Sequence, residues 1–344
     1  MAAIFGRLAV WDLVKVPAPA FDAWRISLPP GVESGPVPDQ EAANEWANKA
    51  TLGMVSEFPL TIDPRTIILL ASALTTMSRW KDPLWDAPAA ELGETPWASE
   101  VNQVLKDWGE IVWTESAGLV GALVSRANDG LVVVSVIGDP TAAPATIIAA
   151  AHEVAAWACE RATNATPRSL FDLPLGIGHA WEIVESEIKS HVDGQRIEVA
   201  RVFLPAWEAV RPRIELGANR AFGFQAAGAA LAAILDPGEQ VEGIQAAQST
   251  VARFDRYGFS ASSVTAFGEV GSAEDGWPEF RGLMRKATIR FSRPFAVVAV
   301  TQSPDGLPHP WHGLPVFSAW VTKPSEPEPE KYPDWMMEQL NAEA

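Results

Sequence analysis

Gly258-Phe259-Ser260-Ala261-Ser262 comes within one residue of a nucleophile elbow, the Gly-x-Ser-x-Gly turn that exposes a serine between a strand and a helix. Serine stands where the last glycine belongs, and no helix pattern follows. His152-Glu153 offers one zinc ligand and a base, but Ala156 and Trp157 follow where a second histidine would be needed. Gly176-Ile177-Gly178-His179 lacks the third glycine that opens a dinucleotide-binding helix, and reads as a turn. The five histidines (152, 179, 191, 309 and 312) are dispersed. His309 and His312, in Leu-Pro-His-Pro-Trp-His-Gly, could hold a metal weakly but read as an exposed proline-rich turn. Cys159, the single cysteine, lies in an alanine-rich helical stretch and reads as a small buried hydrophobe. Asn164-Ala165-Thr166 is a glycan acceptor only in a secreted chain. These patterns predict no enzyme, no metal and no cofactor.

The chemistry left is conformational. Residues 249–255 alternate as a half-buried strand, with Val251 and Phe254 among Ala252, Arg253 and Asp255. Gly258 breaks the pattern, and an uncharged run of small residues follows from Ser260 to Ala266. Small, partly β-capable residues beside a strand can stay a mobile loop or enter a sheet as an extra strand.

Several elements must position that segment. Leu8–Val16 reads as a strand ended by Pro17 and Pro19. Asp39 caps a predicted helix over 40–51, with Ala43, Trp46, Ala47 and Ala50 on one face and Gly53 as its stop. Residues 65–77 are apolar enough for a strand buried on both faces, and an aromatic turn follows over 79–85. Strands are predicted at 111–115, 119–125 and 131–137, the last two joined by an Asn128-Asp129-Gly130 hairpin signal. Helices follow at 142–163 and 219–235, with a strand at 197–204 stopped by Pro205. Further strands are predicted at 287–291, 294–301 and 316–322. Helices and strands interleave without a βαβ rhythm, which argues for α+β. Residues 324–344 begin Pro-Ser-Glu-Pro-Glu-Pro-Glu and read as an acidic, proline-rich, disordered tail behind one domain over 1–323.

Composition is globular, 48% hydrophobic and 20% charged. The net charge of −17 repels nucleic acid and anionic membranes, so neither is expected as a partner, and a monomer is expected. A lone cysteine excludes an intrachain disulfide. No run is long and apolar enough to span a bilayer, and Met1–Val16 makes a poor signal peptide. The default location is therefore cytoplasmic, or extracellular if the true start lies upstream.

Five blocks, in order, resemble the serpin family of serine protease inhibitors. Ala43-Asn44-Glu45-Trp46-Ala47 with Thr51-Leu52-Gly53-Met54 is similar to the helix that crosses the serpin central sheet. Leu69-Leu70-Ala71-Ser72-Ala73-Leu74, then Trp80-Lys81-Asp82-Pro83-Leu84, resembles that sheet's third strand and its exit. Phe203-Leu204-Pro205-Ala206-Trp207 is similar to the family's Leu-Pro-Lys-Phe strand. Phe291-Ser292-Arg293-Pro294-Phe295 and Phe317-Ser318-Ala319-Trp320-Val321 look like the strands after the reactive loop. Residues 249–268 themselves resemble the serpin hinge. The blocks cover roughly residues 5–323, and the flavour is that of divergent serpin-like proteins of high-GC actinobacteria.

The resemblance implies a serpin-like α+β fold, with a large central mixed sheet, a second sheet, surrounding helices and an exposed reactive loop. The family's N-terminal helices have no counterpart here. It implies a suicide substrate for an elastase-like or subtilisin-like serine protease, cut between Ser272 and Ala273, with Val270-Gly271 and Gly271-Ser272 as alternatives. After the cut, 259–271 would enter the central sheet as a strand. By the same alignment Phe259, Ala261, Ser263 and Thr265 would face inward, and Ser260, Ser262, Val264 and Ala266 outward. The hinge departs from the family: Asp255-Arg256-Tyr257-Gly258 stands for Asp-Glu-Glu-Gly, and Phe259 replaces a small residue. Ser72 and Gln248 replace the sheet-opening asparagine and histidine. A non-inhibitory serpin-like scaffold is therefore the alternative.

Overall fold

A computed structural model describes residues 4–13, 19–76, 78–190, 192, 194–218, 221, 223–235, 245–259, 280–303 and 310–327. They form two compact units, one from 4–76 with 209–252, the other chiefly from 77–208 with 253–344.

The first unit opens with β1 (Ile4–Asp12), α1 (Pro19–Ile26), β2 (Glu33–Pro36), α2 (Gln40–Ala50) and β3 (Ile68–Thr76). The α2 start is as the sequence predicts. Asp39 is extended, and its carboxylate accepts the Ala42 amide at 2.9 Å. Gly53, at φ +85°, ends the helix by donating its amide to Asn48 O at 2.8 Å. Ala43, Ala47 and Ala50 are buried, and Trp46 meets Trp11 edge-on with ring centroids 5.3 Å apart. β1 pairs antiparallel with β3 from Ile4↔Thr76 to Asp12↔Ile68, and β2 lies parallel on its other edge. β3 is buried on one face only, contrary to the both-faces reading. Leu69 and Thr75 are buried, whereas Leu70, Ser72 and Leu74 are exposed. The alternation was hidden because both faces carry apolar residues.

The second unit follows with β4 (Ser78–Arg79), β5 (Trp85–Pro88), α3 (Pro96–Glu100), β6 (Gln103–Trp108), β7 (Glu110–Thr114), β8 (Gly118–Arg126), β9 (Leu131–Ile137) and α4 (Pro144–Ala158). Next come β10 (Thr166–Pro167), β11 (Gly176–Ile177), β12 (Trp181–Ser190) and β13 (Arg196–Leu204). β14 (Trp207–Glu215) carries the chain into the first unit, where α5 (Phe224–Ile234) lies, and β15 (Ala247–Asp255) carries it back. β16 (Gly258–Phe259), β17 (Phe280–Arg290), β18 (Phe295–Thr301) and β19 (Pro315–Val321) complete the described elements.

One six-stranded antiparallel sheet has the order β10-β7-β8-β9-β18-β19, and another, mixed, runs β11-β12-β17-β13-β6-β5. Every residue of β9 and β18 is buried: α4 covers one face of their sheet with Ile147, Ala150, Val154 and Ala158, and Ile289 of β17 lies against the other face at β8. Gly121 marks the close approach, since a Cβ there would lie 2.6 Å from Ile289 Cγ2. Strands β6, β12 and β14 and the first half of β17 went unpredicted. They carry charged or bulky polar side chains on open positions, which lowers their strand signal, and only the neighbouring ladders hold them extended. α4 ends at Ala158 rather than 163, where Glu160 turns left-handed (φ 56°) and the Arg161 amide closes on Ala156 O at 2.9 Å.

Candidate functional site

β15 turns into β16 as a tight hairpin. Phe254 pairs with Phe259 and Asp255 with Gly258, leaving Arg256 and Tyr257 as the two-residue turn. On its other side β16 pairs with β4, Gly258 against Arg79 and Phe259 against Ser78. Gly258 is required by proximity, since a Cβ there would collide with the Ser78 carbonyl oxygen.

The turn is bolted to the aromatic segment 80–84. Trp80 donates its amide to Tyr257 O at 3.1 Å and its indole Nε1 to Asp255 O at 2.8 Å, and the Leu84 amide donates to Arg256 O at 3.0 Å. The 128–129 turn braces that segment in turn. Asn128 bonds Arg79 O and Trp80 O, and Ser78 donates to Asp129 at 2.8 Å. Arg256 has only 5% of its side chain exposed and forms an ion pair with Asp86 of β5. Its guanidinium also lies 5.6 Å from the Tyr257 ring centre. Phe259 is 3% exposed, with Phe317 at 5.7 Å and Trp207 at 6.3 Å between ring centroids. Trp207 also stacks on Phe254 and Phe317. Phe259 thus fills an aromatic cage.

Asp255, Arg256, Tyr257, Gly258 and Phe259 are therefore brought together on one scaffold. Ser260, Ala261, Ser262, Ser263, Val264, Thr265, Ala266, Ser272 and Ala273 lie outside the described residues. Ser72 sits exposed on β3 opposite Leu8, and Gln248 is exposed on β15. No hydrogen bond joins the two among the described residues. Sequence reading missed Asp86, which has no motif around it. Trp207 and Phe317 stand in strand-like blocks, and nothing in their sequence surroundings marks their convergence on Phe259.

The other candidates are structural. The Glu153 carboxylate accepts the Glu115 and Ser116 amides at 2.7 and 2.9 Å, closing the β7–β8 turn. His152 meets Ser318 at 3.1 Å, and burial pushes its pKa down. His312 is not simply exposed. It bridges Cys159 O at 2.8 Å and the Ser303 amide at 3.1 Å, while His309 lies outside the described residues. No cluster able to hold a metal occurs among the described residues. Cys159 is fully buried, and that burial raises its thiol pKa. It is expected to react with Ellman's reagent only as fast as the protein unfolds. Rapid labelling of the folded protein would place the thiol at the surface.

No family model and no curated protein matches the sequence. Solved structures do match. The chain is similar to Tengpin, a thermophilic serpin in its native state, at 13% identity and a TM-score of 0.56, covering 94% of this chain and 73% of that one. It is similar to a serpin of the trematode Schistosoma haematobium at 12% identity and a TM-score of 0.52, over 94% and 74% of the two chains. Human kallistatin matches at 10% identity and a TM-score of 0.52, over 87% and 71%. At such identities the likeness speaks for architecture alone, and on that ground the chain has the α+β serpin fold.

Proposed function

We propose that the chain is a serpin-type inhibitor that a serine protease attacks as a substrate. The serine Oγ of the protease adds to the Ser272 carbonyl, the bond to Ala273 breaks with its nitrogen taking a proton, and an acyl ester to the protease forms. Residues 259–271 then add as a strand in the first unit before water hydrolyses that ester. The observation that carries this reading is a pair of strand edges on which no further strand lies among the described residues. β3 is the terminal strand of β2-β1-β3, and β15 pairs with β16 only at Phe254 and Asp255, so the edge of 247–253 on that side carries no strand among the described residues. A strand edge of this kind can template an added strand.

The second reading, a non-inhibitory scaffold, is favoured by the buried Arg256 and Phe259. Insertion must draw the hinge out of contacts that hold it, and a delayed insertion lets the ester hydrolyse. The test is incubation with an elastase-like and a subtilisin-like protease, read on a denaturing gel. A boiling-resistant band at the summed mass is expected for an inhibitor. Cleavage near residue 272 without that band would establish a substrate, and no cleavage would remove both the bait bond and the mechanism.

A further inference from the structure

β12 and β13 are successive strands joined only by residues 191–195, yet they are not neighbours. β17, reached much later in the chain, lies between them. It pairs antiparallel with β12 from Trp181↔Ile289 to Ser190↔Phe280, and parallel with β13 from Arg196↔Leu283 to Phe203↔Arg290. The connection crosses the start of β17, where the Leu283 amide donates to Gln195 O at 2.8 Å. Gly282 makes the crossing feasible, because a Cβ there would lie 2.8 Å from Gln195 O and 3.3 Å from Ile188 Cγ1. Ser190 fastens the connection, its hydroxyl accepting the Val192 amide at 2.9 Å and bonding Gln195.

We propose that this split hairpin is a clamp that fixes the C-terminal end of the 260–279 segment. A strand with one free edge peels by breaking one ladder from its end. β17 has no free edge over residues 283–289, and the covalent connection blocks sideways exit at Gly282. Releasing it requires both ladders to open and the connection to lift, which is close to unfolding the sheet. The other end of the segment is held by β16, a two-residue strand. The two ends therefore differ in extent: freeing Phe259 breaks the two-residue ladders to β15 and β4 and its aromatic contacts, whereas freeing β17 breaks two ladders that run nearly the length of the strand.

The test is native-state hydrogen exchange on the full chain in rising sub-denaturing urea, read by mass spectrometry on peptides covering 182–189, 197–203 and 281–290. The clamp predicts that 281–290 exchanges through the same opening as its two flanking strands, with one shared denaturant dependence. Exchange of 281–290 through an opening that leaves 182–189 and 197–203 protected would overturn it. Ser190→Ala, which loosens the connection without adding bulk, is expected to speed exchange at 283–289 by about tenfold, equivalent to ~1.4 kcal/mol. Unchanged rates there would show that the connection holds nothing. Neither readout depends on whether any protease is inhibited, so failure of the clamp and failure of the proposed function are distinguishable.

Discussion

Phe259→Thr is expected to lower stability by about 3 kcal/mol while increasing the fraction of protein that traps a protease. The loss comes from the cage. Phe259 is almost wholly buried against Trp207 and Phe317, and threonine leaves a void there and buries a hydroxyl. The gain comes from the same contacts, because on the proposed mechanism the ring resists the first step of strand addition. Urea unfolding gives the first quantity, and the molar ratio of protein needed to abolish protease activity gives the second. A destabilised variant with an unchanged ratio would mean that the aromatic cage is not what limits trapping. A variant of unchanged stability would contradict the packing itself. Phe259→Leu, which keeps most of the apolar volume, should fall between the two on both measures.

Arg256→Ala carries the second large effect, a loss of about 3 kcal/mol. Removing one partner of a buried ion pair strands the other, which typically costs about 3–5 kcal/mol. The lower end applies here because the Asp86 side chain retains 30% of its exposure and keeps some water. The substitution also removes the guanidinium from the Tyr257 face. Pairing Arg256→Met with Asp86→Leu should restore most of the stability, since an apolar pair avoids desolvating two charges. If Asp86→Leu alone is as harmless as the double change, the arginine was not relying on that carboxylate. On trapping, the single change is expected to act in the same direction as Phe259→Thr, because both loosen the 255–259 turn from the segment at 80–86.

The sequence by itself determined the local elements whose causes are local. Asp39 with its four-spaced alanines specified α2, Gly53 its end, Asn128-Asp129-Gly130 the β8–β9 turn, and the valine-rich runs the buried strands β9 and β18. It also determined where β15 ends, since the alternation of 249–255 stops before Gly258. The ordered blocks led to the α+β serpin fold despite identities of 10–13% to solved serpins. Only the tertiary structure decided what the 255–259 turn is tied to. Asp86, Ser78, Trp207 and Phe317 are far from Phe259 in sequence, and nothing in their own neighbourhoods marks them as its partners. Strand order was equally out of reach. Hairpin reasoning sets β12 beside β13 because the link is short, but each pairs with β17 instead. A ladder's partner is chosen by which strand completes the most hydrogen bonds in the finished sheet, and that is a property of the whole chain.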